Sequence, residues 1–127
     1  MKMKGPSDFE HFEGYASFRP SGNVSFRNAV GIIAKALSLA AGNGISHLLV
    51  DTTKLTGFPY PETYERYFMA TEWANHSRGL RLAVIARPEL IDPYRFGVTV
   101  ARNRGLISDV FTAEPEAIEW LLHVDPQ

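Results

Sequence analysis

The chain has 127 residues, 45% of them hydrophobic and 21% charged, the balance of one ordinary globular domain. A formal net charge of −1 and a pI near 6.4 supply no basic excess for nucleic acid or for an anionic membrane surface. With no cysteine, disulfides, thiol catalysis and thiolate metal sites are excluded.

Residues 1–8 read as a loose leader ahead of a single domain over residues 9–127. The opening MKMKGPSDFEHF has lysines but no apolar segment behind them, so no signal peptide is expected. The longest mainly apolar stretch, Ala29 to Ala41, contains Lys35 and is too short to span a bilayer. The expected location is cytoplasmic, which the lack of cysteine fits. Neither membrane insertion nor a nucleic-acid partner is expected.

Residues 9–12 can form a strand that leads through Glu13-Gly14 into a second one. There Tyr15, Ser17 and Arg19 alternate with Ala16 and Phe18, up to Pro20-Ser21-Gly22. Ser25 then has the place of an N-cap, with Val24 and Ala29 at the spacing of a hydrophobic staple. Ala29, Ile32, Ile33, Ala36, Leu37 and Ala40 repeat with helical period, and Gly42 and Gly44 stop the helix.

Ile45 to Val50 is a near-continuous apolar run, the pattern of a strand covered on both faces. Pro59 and Pro61 punctuate the following loop, and Pro61 or Glu62 opens a second helix reaching about Ser77. Leu82 to Ala86 is another buried strand. Asp92-Pro93 predicts a helix start, with Asp as N-cap and Pro at the first helical position, running to about Arg104 before Gly105. Asp109 to Phe111 reads as a short strand. Pro115 opens a last helix on Ala117, Ile118, Leu121 and Leu122. The expected architecture is one α/β domain in β-α-β-α-β-α-β-α order. It has about four helices on a mainly parallel sheet of about four or five strands, with Val50 and Val84 in neighbouring central strands.

The stretches SGNVSFRNAVGIIAKAL, HLLVDTTKLTG, GLRLAVIARPE, FGVTVARNRGL and VFTAEPEAIEWLL come in the order found in the STAS superfamily. Within it, the chain resembles the SpoIIAA-like branch related to bacterial anti-anti-sigma factors. The resemblance implies a small sheet with helices mostly on one face. It also implies a regulatory or ligand-binding role rather than catalysis. In the related CRAL-TRIO domains an apolar ligand lies between helices and sheet. One departure matters. The phosphorylated members carry an Asp-Ser pair at the start of the second helix. Here that region reads Leu55-Thr56-Gly57-Phe58-Pro59-Tyr60-Pro61, with no serine between His47 and His76. The phosphoswitch is therefore not carried over, and neither Thr56 nor Thr63 sits in its pattern.

Two stretches are candidate sites. The first is the loop at the end of the apolar run, Asp51, Thr52, Thr53, Lys54, Thr56 and Gly57. Loops at the carboxyl ends of parallel strands are favoured ligand crevices. The alternative, and the expectation, is that Asp51 accepts loop N–H groups and shapes the turn. The second is the aromatic set Phe58, Tyr60, Tyr64, Tyr67, Phe68 and Trp73, more rings than one buried helical stripe needs. It is read as thick core, self-association patch or lining of an apolar pocket. A pocket would be bordered by Phe58, Tyr60, Phe68 and Trp73. The expectation is that the rings divide between core and an exposed surface, with another copy of the chain as partner.

Arg95 and Arg102 share a helix face at i, i+7, with Arg104 nearby and Arg78, Arg81 and Arg87 flanking the preceding strand. An anion site is one reading; a solvated, paired face is the expectation. Neither a metal nor a cofactor is expected. His11, His47, His76 and His123 lack ligand spacing, and no GxSxG, GxGxxG or P-loop occurs. Three functions remain: a non-enzymatic partner-binding module, which forms a homodimer; a binder of a small apolar molecule or lipid; and an enzyme using Asp51 as acid or base.

Overall fold

A computed structural model describes residues 9–77 and 79–123; the expected leader at 1–8, Arg78 and the last four residues lie outside them. A hairpin of β1 (Glu10–Phe12) and β2 (Tyr15–Phe18) opens the sheet. A strand β3 (Ser21–Asn23) and helix α1 (Phe26–Gly42) follow. Then come β4 (His47–Asp51), β5 (Lys54–Thr56), α2 (Thr63–Asn75) and β6 (Arg81–Ile85). A 3-10 turn at Pro88–Leu90, α3 (Phe96–Asn103), β7 (Ile107–Phe111) and α4 (Glu114–Leu122) complete the order.

The five-stranded sheet runs β1-β2-β4-β6-β7, antiparallel only at β1–β2. Val50 stands opposite Val84 in the parallel β4–β6 pair, as the two apolar runs predict. The absence of alternation in those runs has a direct cause. Leu48, Val50, Leu82 and Val84 face the core under α1, α2 and α3, while Leu49, Ala83 and Ile85 face α4. Both faces are covered, so Leu48–Val50 and Leu82–Ala86 are apolar at every position.

The first helix forms as its sequence requires. The Ser25 hydroxyl accepts the Asn28 N–H at 3.1 Å, and Ala29, Val30, Ile33, Ala34, Ala36, Leu37 and Ala40 are buried as one stripe. The Asn43 side chain donates to the Leu39 carbonyl at 2.8 Å and closes the C-terminus.

Three expectations need correction. Two strands are absent from the expected order. β3 and β5 pair in parallel as a separate ladder, so Lys54 and Thr56 lie in a strand rather than in an open loop. Both are three residues long and mostly exposed, so they carry no hydrophobic period to read.

The third helix also starts later, at Phe96. Asp92 does cap it, its carboxylate accepting the N–H groups of Tyr94 (3.1 Å) and Phe96 (2.8 Å). Between them the chain makes a turn in which Arg95 adopts a left-handed conformation, φ 52°. The Arg95 guanidinium donates to Asp109 and to the Val110 carbonyl, which holds that turn against β7. Lastly, Arg95 precedes the helix, so it does not share a helical face with Arg102.

Candidate binding pocket

Helix α2 opens with a carboxylate against its own N-terminus: the Glu62 N–H donates to Glu65 Oε1 at 2.8 Å. Only Ala70 and Trp73 of this helix are fully buried. The Trp73 indole N–H donates to the Val30 carbonyl at 3.1 Å, pinning α2 to α1. Phe58 meets Phe26 edge-on at 5.6 Å between centroids. Phe68 packs against the core beneath the Arg27 guanidinium, 4.5 Å from its ring centre. The tyrosines point the other way. Tyr60 is 49%, Tyr64 73% and Tyr67 46% exposed. Arg66 lies over the Tyr60 ring, and Arg104 donates to the Tyr67 hydroxyl at 2.8 Å.

Where α2 and α3 meet the sheet, the packing leaves a partly open cavity of about 130 Å³. Ala29, Val30 and Ile33 of α1, Met69, Ala70 and Trp73 of α2, and Val98 and Ala101 of α3 line it, above Val84 and Val110. Leu55 and Phe58 contribute from the connection after β4. The helix residues nearest the void include small ones, Ala29, Ala70 and Ala101, which cannot fill it. At Gly97 the two helices come close: an added Cβ would lie 3.3 Å from the Met69 methyl carbon.

Of the rings expected to border a pocket, Phe58 and Trp73 do so. Tyr60 and Phe68 do not, because one is turned to solvent and the other is covered by Arg27. The polar part of the lining comprises Thr52, Arg66, Asp92, Arg95, Ser108 and Asp109.

The loop after β4 is organised around Asp51. Its Oδ1 accepts the Thr53 N–H (2.9 Å) and hydroxyl (2.7 Å), and Oδ2 accepts from Arg19 at 3.2 Å. Arg19 also donates in fork fashion to Glu114 at 2.9 and 3.0 Å, linking β4 to the start of α4. Burial pushes the Asp51 carboxyl up, but the Thr53 hydroxyl, the Thr53 N–H and Arg19 outweigh it. The net effect holds the group below the usual carboxylate range. Such a carboxylate stays ionised near neutral pH and has no proton to give as a general acid.

The neighbouring hydroxyls are used by the fold too. Thr52 donates to the Ile85 carbonyl at 2.8 Å, and Thr56 reaches the Gly22 carbonyl at 3.4 Å. Lys54 is exposed. Gly57 has φ 105°, and a Cβ there would lie 2.6 Å from the Val24 carbonyl oxygen. Of the candidate loop, only Thr52 reaches the cavity.

The basic side chains scatter. Arg81 stacks on Trp120 at 3.9 Å and donates to its carbonyl at 2.8 Å, and Arg87 pairs with Glu89 at 3.5 Å. Sequence reasoning passed over Arg66, Asp92 and Asp109 as pocket residues. The available signals were the Asp-Pro turn and the alanines on adjoining helices, neither of which declares a void. Among the described residues, no helix is long and apolar enough to cross a membrane.

Searches for related proteins found no matching family model and no matching curated protein. Among solved structures, the chain is similar to an uncharacterized protein of the DUF3478 family from Shewanella loihica PV-4. The two share 19% identity over 89% of this chain and 90% of that one, with a TM-score of 0.46. That protein is described as having a SpoIIAA-like fold.

Proposed function

We propose that this chain is a non-enzymatic, STAS-like binding module whose site is the cavity beneath α2 and α3, and whose ligand inserts a small apolar group there. The carrying observation is the cavity of about 130 Å³ walled by Val30, Ile33, Met69, Trp73, Val84 and Ala101. An apolar void of about 150 Å³ accepts a benzene-sized guest, so this one suits a single ring or a short chain. Native mass spectrometry of freshly purified protein, compared with Ala101→Leu, tests the reading. A small-molecule adduct on the wild type that the variant loses is expected. Wild type that carries no adduct and gains none from a panel of small aromatic and aliphatic compounds would refute it.

A second reading, self-association, has its own observation: Tyr64 and Tyr67, three residues apart on α2, and Tyr60 in the loop before it are all exposed. Rings of this kind suit an interface because they bury area while keeping a polar tip. Sedimentation equilibrium on wild type, Tyr64→Ser and Tyr67→Ser tests it. A dimer weakened by either substitution is expected, and a strictly monomeric wild type removes it. The lack of an Asp-Ser pair supports a module without the phosphoswitch.

A further inference from the structure

The polar lining of the cavity is unequal in how its charges are used. Arg95 is taken up by Asp109 and by the Val110 carbonyl. Asp109 also accepts its neighbour's N–H, at Val110. Asp92 uses both carboxylate oxygens on the N–H groups of Tyr94 and Phe96 at the approach to α3. Arg66 differs. Its guanidinium donates to the Leu90 carbonyl at 3.0 Å and, among the described residues, has no carboxylate at ion-pair distance. A guanidinium carries several further N–H donors in a planar fork that matches a carboxylate. The plane of this fork is steadied by the Tyr60 ring, 4.6 Å beneath it. A half-buried cation with unspent donors thus sits in the wall of an apolar cavity.

We infer that the ligand is a small monocarboxylate whose ring or short chain fills the cavity and whose carboxylate is received by Arg66. This rests on the cavity being the binding site. Its size limits the apolar part to a single ring or about six carbons. Asp92, bonded to backbone N–H groups, also lies within the Coulombic reach of Arg66, so that cation is already partly compensated and suits a ligand with one negative charge rather than a dicarboxylate or a phosphate.

Calorimetric titration with matched probes tests this: benzoate against benzyl alcohol, and hexanoate against 1-hexanol, on wild type, Arg66→Gln and Ala101→Leu. Each acid is expected to bind wild type about tenfold or more tighter than its alcohol, the scale of a charge-assisted hydrogen-bonded pair. Arg66→Gln is expected to erase that preference, so that acid and alcohol bind it alike, and a urea unfolding transition like that of wild type shows that the variant is folded. Ala101→Leu is expected to weaken acid and alcohol alike. Equal binding of acid and alcohol to wild type, or an acid preference that survives Arg66→Gln, overturns the carboxylate assignment while leaving the cavity as the site. Absence of binding by all four probes overturns the cavity reading and this inference with it.

Discussion

The two faces of the sheet are packed to different standards. On one, α4 sets Ala117 and Leu121 onto Leu49, Ala83 and Ile85, and four of these five have no exposure at all. On the other, three helices cover the sheet, yet α2 fully buries only Ala70 and Trp73 and α3 only Ala101. The first face closes because a single short helix presents a narrow stripe that matches the strand spacing. The second has to reconcile three helices, and the alanines where they meet leave the cavity. Protein interiors are otherwise packed as densely as organic crystals, so a void of this size marks a position where filling has been forgone. The α4 face is filled, and the other face keeps the cavity proposed above as the binding site.

Substitutions on the two faces should therefore behave differently. The largest effect is expected on the closed side: Leu121→Ala should cost about 2–5 kcal/mol in urea denaturation, since its neighbours have little freedom to collapse into the space. Adding volume makes a sharper contrast. Ala117→Leu should cost about 1–3 kcal/mol through overpacking, while Ala101→Leu, at the cavity, should cost less than about 1 kcal/mol or stabilise the protein. Equal costs for these two variants would break the comparison.

Acid should also loosen the two faces through separate carboxylates. Asp51, linked through Arg19 to Glu114 at the start of α4, is held below its ordinary pKa despite burial, which opposes the shift. Asp92, at the start of α3, is also held low: burial opposes this, and the Phe96 and Tyr94 N–H groups and Arg66 outweigh it. In both cases the unfolded chain takes up the proton more readily than the folded one. The stability they supply is then complete above about pH 4 and is lost as pH falls through the lower folded values. Asp51→Asn and Asp92→Asn should each flatten that acid limb. Hydrogen exchange near pH 4 should show lost protection in α4 for the first and in α3 for the second. The same pattern of loss in both variants would contradict the separation.

The smallest effect is expected at Tyr64. At 73% exposure its replacement by Ser should change monomer stability by no more than about 0.5 kcal/mol in urea denaturation. A larger loss would show that the ring contributes to the core of the open face.

Much of this arrangement is legible residue by residue. The runs ending at Asp51 and Ala86 lack alternation because both sheet faces are covered, and their parallel pairing follows from the helix between them. Ser25 and the stripe from Ala29 to Ala40 announce α1 through capping and period, both local properties. The division of the second-helix aromatics follows from counting rings against one buried stripe, with Trp73 inside and Tyr64 outside. The β3–β5 ladder is not legible, because Ser21–Asn23 and Lys54–Thr56 are held by backbone hydrogen bonds that carry no side-chain signature. The delayed start of α3 escapes for a related reason. Asp92-Pro93 is a sound cap signal, but the left-handed Arg95 is sustained by Asp109 and Val110, over ten residues away in the chain.

Sequence alone therefore determined what depends on short-range period and capping: the class of the fold, the two central strands, α1, and the surplus of rings on α2. The tertiary structure decided what depends on distances between elements. Asp51 became an anchor between β4 and α4 rather than part of the cavity, because Arg19, itself forked onto Glu114, comes to it from a distant part of the chain. The cavity itself arises where Ala29, Ala70 and Ala101 from three helices face one another. A void is the absence of contact among residues far apart in sequence, and no local pattern of residues encodes it.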